Sequence, residues 1–185
     1  MFVDLTAAYD TAWHHSLTCK LLQLLPDRYK VCMIMEMVSN RSFTLSTGNS
    51  KRSRLQRLKN GVPQRSVLVP LLFNIYISDL PTPVSRKCAY ADDLAIMHAD
   101  GDWQSVEGVL TTDMATVGEY LQTWKLNLST TKMVSTAFHR NHKEAKHELK
   151  VKYNNETLPF CSEPKYLGET LDRSLSYHQH LESLC

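Results

Sequence analysis

Residues 87–98 are KCAYADDLAIMH, and the understanding of the rest of the chain turns on them. Two apolar runs, Cys88–Ala91 and Leu94–Met97, flank the adjacent carboxylates Asp92 and Asp93, a pattern that predicts a tight hairpin with acids at its tip. An Asp-Asp turn needs no functional reason, because aspartate side chains bond nearby backbone and tolerate left-handed dihedrals. The functional alternative is a metal site, since two carboxylates held beside apolar strands repel each other unless a cation or a proton intervenes. A third carboxylate favours the metal. At 1–10, MFVDLTAAYD, apolar Phe2 and Val3 lead into Asp4 and Leu5, and Ala7-Ala8-Tyr9-Asp10 starts a helix.

With 43% hydrophobic and 22% charged residues over 185 positions, the chain can bury one sizeable core, so a single globular domain is expected. No apolar run reaches the ~18 residues of a membrane span, and the first residues lack the basic-then-apolar order of a secretion signal. An intracellular protein, nuclear or cytoplasmic, with no membrane partner is therefore expected. Cys19, Cys32, Cys88, Cys161 and Cys185 are scattered without paired-ligand spacing, which argues for reduced thiols rather than a disulfide framework or a zinc site. The net charge of +2 hides an asymmetry: no acid lies between Glu36 and Asp79, where Arg41, Lys51, Arg52, Arg54, Arg57, Lys59 and Arg65 are found. Between Lys87 and Lys125 there is instead no Lys or Arg, and seven acids run from Asp92 to Glu119. A basic stretch of this kind suits phosphates, whose neutralisation releases counterions, although a solvated charged hairpin has the same composition. Arg52, Arg54, Arg57 and Lys59 are the candidate nucleic-acid contacts.

Along the chain, Trp13, Leu17, Leu21, Leu24 and Leu25 fall at helical spacing before Pro26, and Tyr29, Val31, Ile34, Met35 and Val38 repeat the pattern over 27–38. Residues 42–59 predict a two-stranded basic hairpin turning at Gly48-Asn49. Ser66–Leu80 predicts an apolar helix with Pro70 in its first turns, where a helix tolerates it. Trp103, Val106, Leu110, Met114, Val117, Leu121 and Trp124 predict a helix of more than five turns, capped by Asp100 or Asp102. After a basic loop at 140–152, Leu149, Val151 and Tyr153 alternate, Asn154-Asn155 turns, Leu158 and Phe160 answer, and Tyr166–Leu171 predicts one further strand. Leu175, His178, Leu181 and Leu184 share a face of a last helix. Alternating strands and helices around an acidic hairpin predict an α+β fold built on an antiparallel sheet.

The order FVDLTAAYD (2–10), NGVPQRSVLVPLLFNIYISDLP (60–81) and YADD (90–93) resembles the palm of reverse transcriptases, most closely those of non-LTR (LINE-type) retrotransposons of vertebrate genomes. LNLSTTK (126–132) and KYLGETLD (165–172) resemble that family's next two motifs, so the resemblance covers nearly all of the chain. It implies a polymerase palm, a ferredoxin-like antiparallel sheet with helices on one face, over about 1–150. Connecting strands at 151–172 and the start of a thumb helix at 173–185 follow. A missing fingers segment and a truncated thumb lead to the expectation of a partial or decayed copy. The implied activity is RNA-directed DNA polymerisation, extending a DNA primer on an RNA template with deoxynucleoside triphosphates, by two Mg²⁺ ions or Mn²⁺ in their place. Asp4, Asp92 and Asp93 are implied as catalytic and metal-binding, with the Leu5 carbonyl as an added ligand. Tyr9, Gln64, Arg65 and Lys132 are implied around the nucleotide, and Tyr166, Leu167 and Gly168 at the primer. Arg65 departs from the family's usual glycine, and Val69 from a small residue. The alternative is a noncatalytic retrotransposon remnant that binds nucleic acid or a protein through the basic stretch.

Overall fold

The computed structural model describes residues 1–47, 51–81, 84–129, 131–139, 141 and 144–183. The Gly48-Asn49 turn, Thr130 within the 126–132 motif, and the end of the last helix at Leu184 and Cys185 lie outside these residues. In chain order the elements are β1 (Phe2–Thr6), α1 (Ala8–Thr11), α2 (His14–Leu24), α3 (Arg28–Val38), β2 (Ser42–Phe43), β3 (Ser46–Thr47), β4 (Lys51–Arg52) and β5 (Gln56–Arg57). They continue with α4 (Val69–Tyr76), β6 (Arg86–Tyr90), β7 (Asp93–Met97), α5 (Trp103–Thr123), β8 (Asn127–Leu128), β9 (Lys152–Tyr153), β10 (Glu156–Thr157), β11 (Lys165–Tyr166), β12 (Glu169–Thr170) and α6 (His178–Glu182). The mixture of helices with antiparallel sheets is α+β. No helix among the described residues is long and apolar enough to cross a membrane, and the four described cysteines are free thiols.

The chain divides into two compact units, one of residues 1–6, 80–123 and 127–185, the other of 7–79 and 124–126. The first holds a four-stranded antiparallel sheet in the order β6-β7-β1-β8. β7 runs between two neighbours, so Leu94, Ala95 and Ile96 are buried in succession, whereas edge strand β6 is exposed throughout and starts with charged Arg86 and Lys87. Val3 opposes Leu94, and their face carries apolar side chains into the core. Phe2 opposes Ala95 and Asp4 opposes Asp93 on the other face. α5 starts where Asp102 accepts the Ser105 amide at 3.0 Å and buries Val106, Leu110, Met114, Val117 and Leu121 at the predicted spacing.

Two expectations for this unit need correction. The stretch from Tyr166 to Leu171 is not one strand. β11 and β12 pair with each other around Leu167 and Gly168, both at positive φ (50° and 86°), the backbone of a two-residue hairpin turn. The 140–152 stretch is also more than a loop, for a short 3₁₀ turn at Glu144–Lys146 precedes Leu149 and Val151, both buried. The Asn154-Asn155 turn forms as expected, with both residues at positive φ.

The second unit packs α2 against α3 and α4. Leu17 and Leu21 supply its centre with Val31, Leu72 and Phe73, and Asp27 caps α3 by accepting the Tyr29 amide at 3.0 Å. Helix α4 is shorter than the apolar pattern predicts, because turns at Pro63–Ser66 and Ser66–Val69 occupy its expected start. The basic stretch forms two short antiparallel ladders, β2 with β5 and β3 with β4. Gly61 ties the unit together. Its amide donates to Ala12 at 2.8 Å, and its carbonyl accepts from His14 Nε2 at 2.7 Å and from the Arg41 guanidinium at 2.5 Å. Its φ is +84°, and a Cβ there would sit 2.7 Å from the Asp10 carbonyl oxygen. Gly61→Ala therefore meets both a backbone clash and a disfavoured dihedral, and should destabilise the chain by about 2–4 kcal/mol in urea unfolding. A loss under ~0.5 kcal/mol would show that the loop shifts freely.

Candidate active site

Three acids and a lysine meet around the β6–β7 turn. Tyr90 opposes Asp93 in the last rung of the hairpin, so Ala91 and Asp92 form a two-residue turn with Ala91 at φ 55°. Asp93 is therefore the first residue of β7 rather than part of the tip, and on its other side it pairs with Asp4 of β1. The Leu5 amide donates to the Asp92 carbonyl at 3.2 Å, which pins the turn to β1. Directly opposed residues of an antiparallel pair project to the same side, so Asp4 and Asp93 share a face with Phe2, Cys88 and Tyr90.

Burial raises the Asp93 pKa above its ordinary value of 3.8; the Asp92 and Asp4 carboxylates push it further, and Lys132 opposes them. Lys132 Nζ lies 3.1 Å from Asp4 Oδ2, and the Ser129 amide donates to the Asp4 carbonyl at 2.9 Å, so the loop after β8 brings a cation to the acids. As they stand, no three His, Cys, Asp or Glu among the described residues are close enough together to hold a metal. The donor set nonetheless suits a hard divalent cation: three carboxylates, electrostatically coupled, one of them already turned to an ammonium group. Tyr166 belongs to the same neighbourhood. Its ring packs on Phe2 at 4.9 Å between centroids, and its pKa is raised by burial, then by Cys88 and Asp93. Leu167 and Gly168 make the turn that follows it.

In the other unit, Tyr9, Gln64 and Arg65 line one cleft of about 240 Å³ with Ser66, Val69 and Pro70. That volume is below the ~300–1,000 Å³ of typical ligand pockets, so it suits a sugar or a base rather than a whole triphosphate. The Tyr9 ring packs on Phe73 at 4.9 Å. Gln64 Nε2 donates to Asp10, 3.1 Å from each carboxylate oxygen. Because a carboxylate only accepts, this contact sets the orientation of the Gln64 amide. Asp10 is the residue that sequence reasoning overlooked. It was visible there only as a polar residue at the start of a helix. Arg65 sits at φ 67°, in the left-handed region where glycine is at ease. Arg52, Arg54, Arg57 and Lys59 are all exposed on the basic hairpin.

Arg65→Gly should raise stability by about 1 kcal/mol, or ~2–4 °C in melting temperature, whatever it does to binding. An unchanged or lowered melting temperature would show that the arginine side chain repays the strain. The raised pKa of Asp93 also has a definite sign. A carboxyl that keeps its proton longer in the folded than in the unfolded chain weakens the fold as pH rises from about 4 through its raised folded value, and the loss persists above that. Asp93→Asn should thus melt at the wild-type temperature near pH 3 and higher than wild type at pH 7. A gap that is equal at both pH values would sever the link to ionisation.

Comparison with known proteins identifies the family. The family model described as reverse transcriptase (RNA-dependent DNA polymerase) matches residues 1–171. The "Probable RNA-directed DNA polymerase from transposon BS" of Drosophila melanogaster is 28% identical over 192 residues, covering 99% of this chain and 21% of that protein. The RNA-directed DNA polymerases from the mobile element jockey of Drosophila melanogaster and Drosophila funebris are 27% and 28% identical, each with 99% of this chain and 20% of the relative covered. The chain spans about a fifth of the length of these curated relatives. With the family model matched across 1–171, this chain belongs to the reverse transcriptase (RNA-dependent DNA polymerase) family.

Proposed function

We propose that the chain is the palm portion of an RNA-directed DNA polymerase, extending a DNA primer on an RNA template from deoxynucleoside triphosphates. The observation that carries this reading is the rung on which Asp4 faces Asp93, with Asp92 in the adjoining turn and Lys132 against Asp4. Two aspartates opposed in a ladder destabilise a sheet, and their retention is reasonable where a cation is to be held. Asp4, Asp92 and Asp93 would hold Mg²⁺ or Mn²⁺, with the Leu5 carbonyl as a further oxygen. When bound, the two ions would activate the primer 3′-hydroxyl and stabilise the leaving pyrophosphate.

The remaining residues bind and orient. Tyr166, packed on the strand that carries Asp4, would hold the primer end near the acids with the Leu167-Gly168 turn. Lys132 would leave Asp4 for the triphosphate as a cation takes its place. Tyr9 would lie under the sugar and exclude a 2′-hydroxyl by bulk, while Gln64, oriented by Asp10, would contact the nucleotide. Arg52, Arg54, Arg57 and Lys59 would meet template or primer phosphates. In this reading 1–150 is palm, 151–172 connects, and 173–185 opens a thumb helix. The strained Arg65 fits a copy whose polymerase function has decayed.

Magnesium should raise the melting temperature of the chain by about 2–5 °C at millimolar concentrations, because an ion bound only by the folded state stabilises it by mass action. Asp92→Asn and Asp4→Asn should lose that rise. Residues 1–171 carrying Arg65→Gly, substituted into a complete jockey polymerase, should support primer extension that Asp92→Asn abolishes. A Mg²⁺ response equal in wild type and both variants would remove the metal-site reading.

A further inference from the structure

The basic hairpin has a feature that its charge count does not reveal. In a regular strand, residues an odd number apart point to opposite faces. Arg52 and Arg54 would then occupy one face, and Arg57 and Lys59 the other. The two ladders show otherwise. Ser42 is opposite Arg57 and Phe43 opposite Gln56; further along, Ser46 is opposite Arg52. Between them, Thr44 and Leu45 on one side are matched by Ser53, Arg54 and Leu55 on the other, two residues against three. The Ser53 amide donates to the Leu45 carbonyl at 2.8 Å, and the Leu45 amide donates to Ser53 Oγ at 2.8 Å. Ser53 therefore faces Leu45, which leaves Arg54 and Leu55 together opposite Thr44. That is a β-bulge.

The extra residue changes the phase of the strand. Ser42 and Ser46 lie four apart on one strand and so share a face, and their partners Arg57 and Arg52 share it with them. Arg54 follows Arg52 by two. Lys59 follows Arg57 by two, in a ladder that the Leu58 amide extends by donating to the Arg41 carbonyl at 2.8 Å. All four cations consequently lie on one face beside serine hydroxyls. Phe43 and Leu45, 41% and 63% exposed, lie on the other.

We propose that the bulge at Arg54–Leu55 is what makes this ribbon a one-sided binder of a nucleic-acid backbone, with Arg52, Arg54, Arg57 and Lys59 meeting phosphates from the same side. The inference rests on the reading of the stretch as a nucleic-acid surface and adds the geometry that a charge count lacks. It separates position from charge, since removing the bulge splits the cations two and two without deleting any of them.

Two variants do so independently: deletion of Leu55, and insertion of one serine between Thr44 and Leu45. Each restores equal numbers of residues between the ladders. The probes are a fluorescent 20-nucleotide oligouridylate and the matching oligothymidylate, titrated from about 50 to 200 mM salt with the 185-residue chain. Four phosphate contacts on a single strand predict about 50-fold weaker binding across that range for wild type, and two contacts about 7-fold for either variant. Variants that keep the wild-type salt dependence overturn the role of the bulge while leaving the nucleic-acid surface in place. A wild-type chain that binds neither probe, or binds only phosphatidylserine vesicles, overturns the surface itself and the inference with it. Should both length variants lose their cooperative melt, Arg52→Gln and Arg57→Gln decide. Equal reductions in salt dependence support a shared face, and an effect from only one of them refutes it.

Discussion

Two like charges face each other across a single rung of an antiparallel ladder, and the organisation of the first unit follows from how that repulsion is tolerated. Val3, Leu5, Leu94 and Ile96 are buried, and the register that buries them also fixes Asp4 opposite Asp93. Shifting the pairing by one residue would separate the acids only by turning the apolar side chains out to water, a change of several kcal/mol against a repulsion of about one. The hydrophobic pattern thus imposes the electrostatic arrangement. Lys132 answers it at Asp4, and at Asp93 burial first, then the Asp92 and Asp4 charges, raises the pKa.

The second unit meets a comparable constraint in its core. Lys20 is buried, its ammonium bonded to the Asp79 carboxylate and the Tyr76 carbonyl and lying 3.8 Å above the Trp124 ring. Burial lowers its pKa and Asp79 works in the other direction. Tyr76, fully buried, accepts from the Trp13 amide at 3.2 Å and donates to the Trp124 carbonyl. A charged group with this many partners is satisfied rather than strained, and it gives the contact between α2 and α4 a directional element that leucines lack.

Much of this was legible in the residues. The seven apolar positions from Trp103 to Trp124 predicted α5 because a 3.6-residue period over five turns has few competing interpretations, and Asn154-Asn155 predicted its turn because asparagine accepts positive φ. The acids at 4, 92 and 93 were identified, but not their roles in the backbone. Only the pairing reveals that Asp93 belongs to a strand and Asp92 to a turn. The helix expected from Ser66 was shortened because hydrophobicity says nothing of a left-handed residue at 65. The contacts of Asp10 and Lys132 were beyond reach for a different reason. Their partners, Gln64 and Asp4, are distant in sequence, and no spacing rule connects them.

The division of the chain into interleaved segments bears on the order in which it can be made. β1 leaves the ribosome well before its partner β7, which is not synthesised until residues 93–97. At ~5–20 residues per second, Phe2–Thr6 waits roughly 5–20 s with its apolar residues unpaired. The segment 7–79 likewise lacks Trp124, which lies over its buried lysine, until translation has passed residue 124. The second unit can close only once residue 126 has been made, and β1 of the first finds its partner only after the whole of 7–79 has been synthesised. Nascent chains of this protein should therefore depend on chaperones or on rapid elongation to a degree that the finished fold, with its short hairpins and local helices, does not reveal.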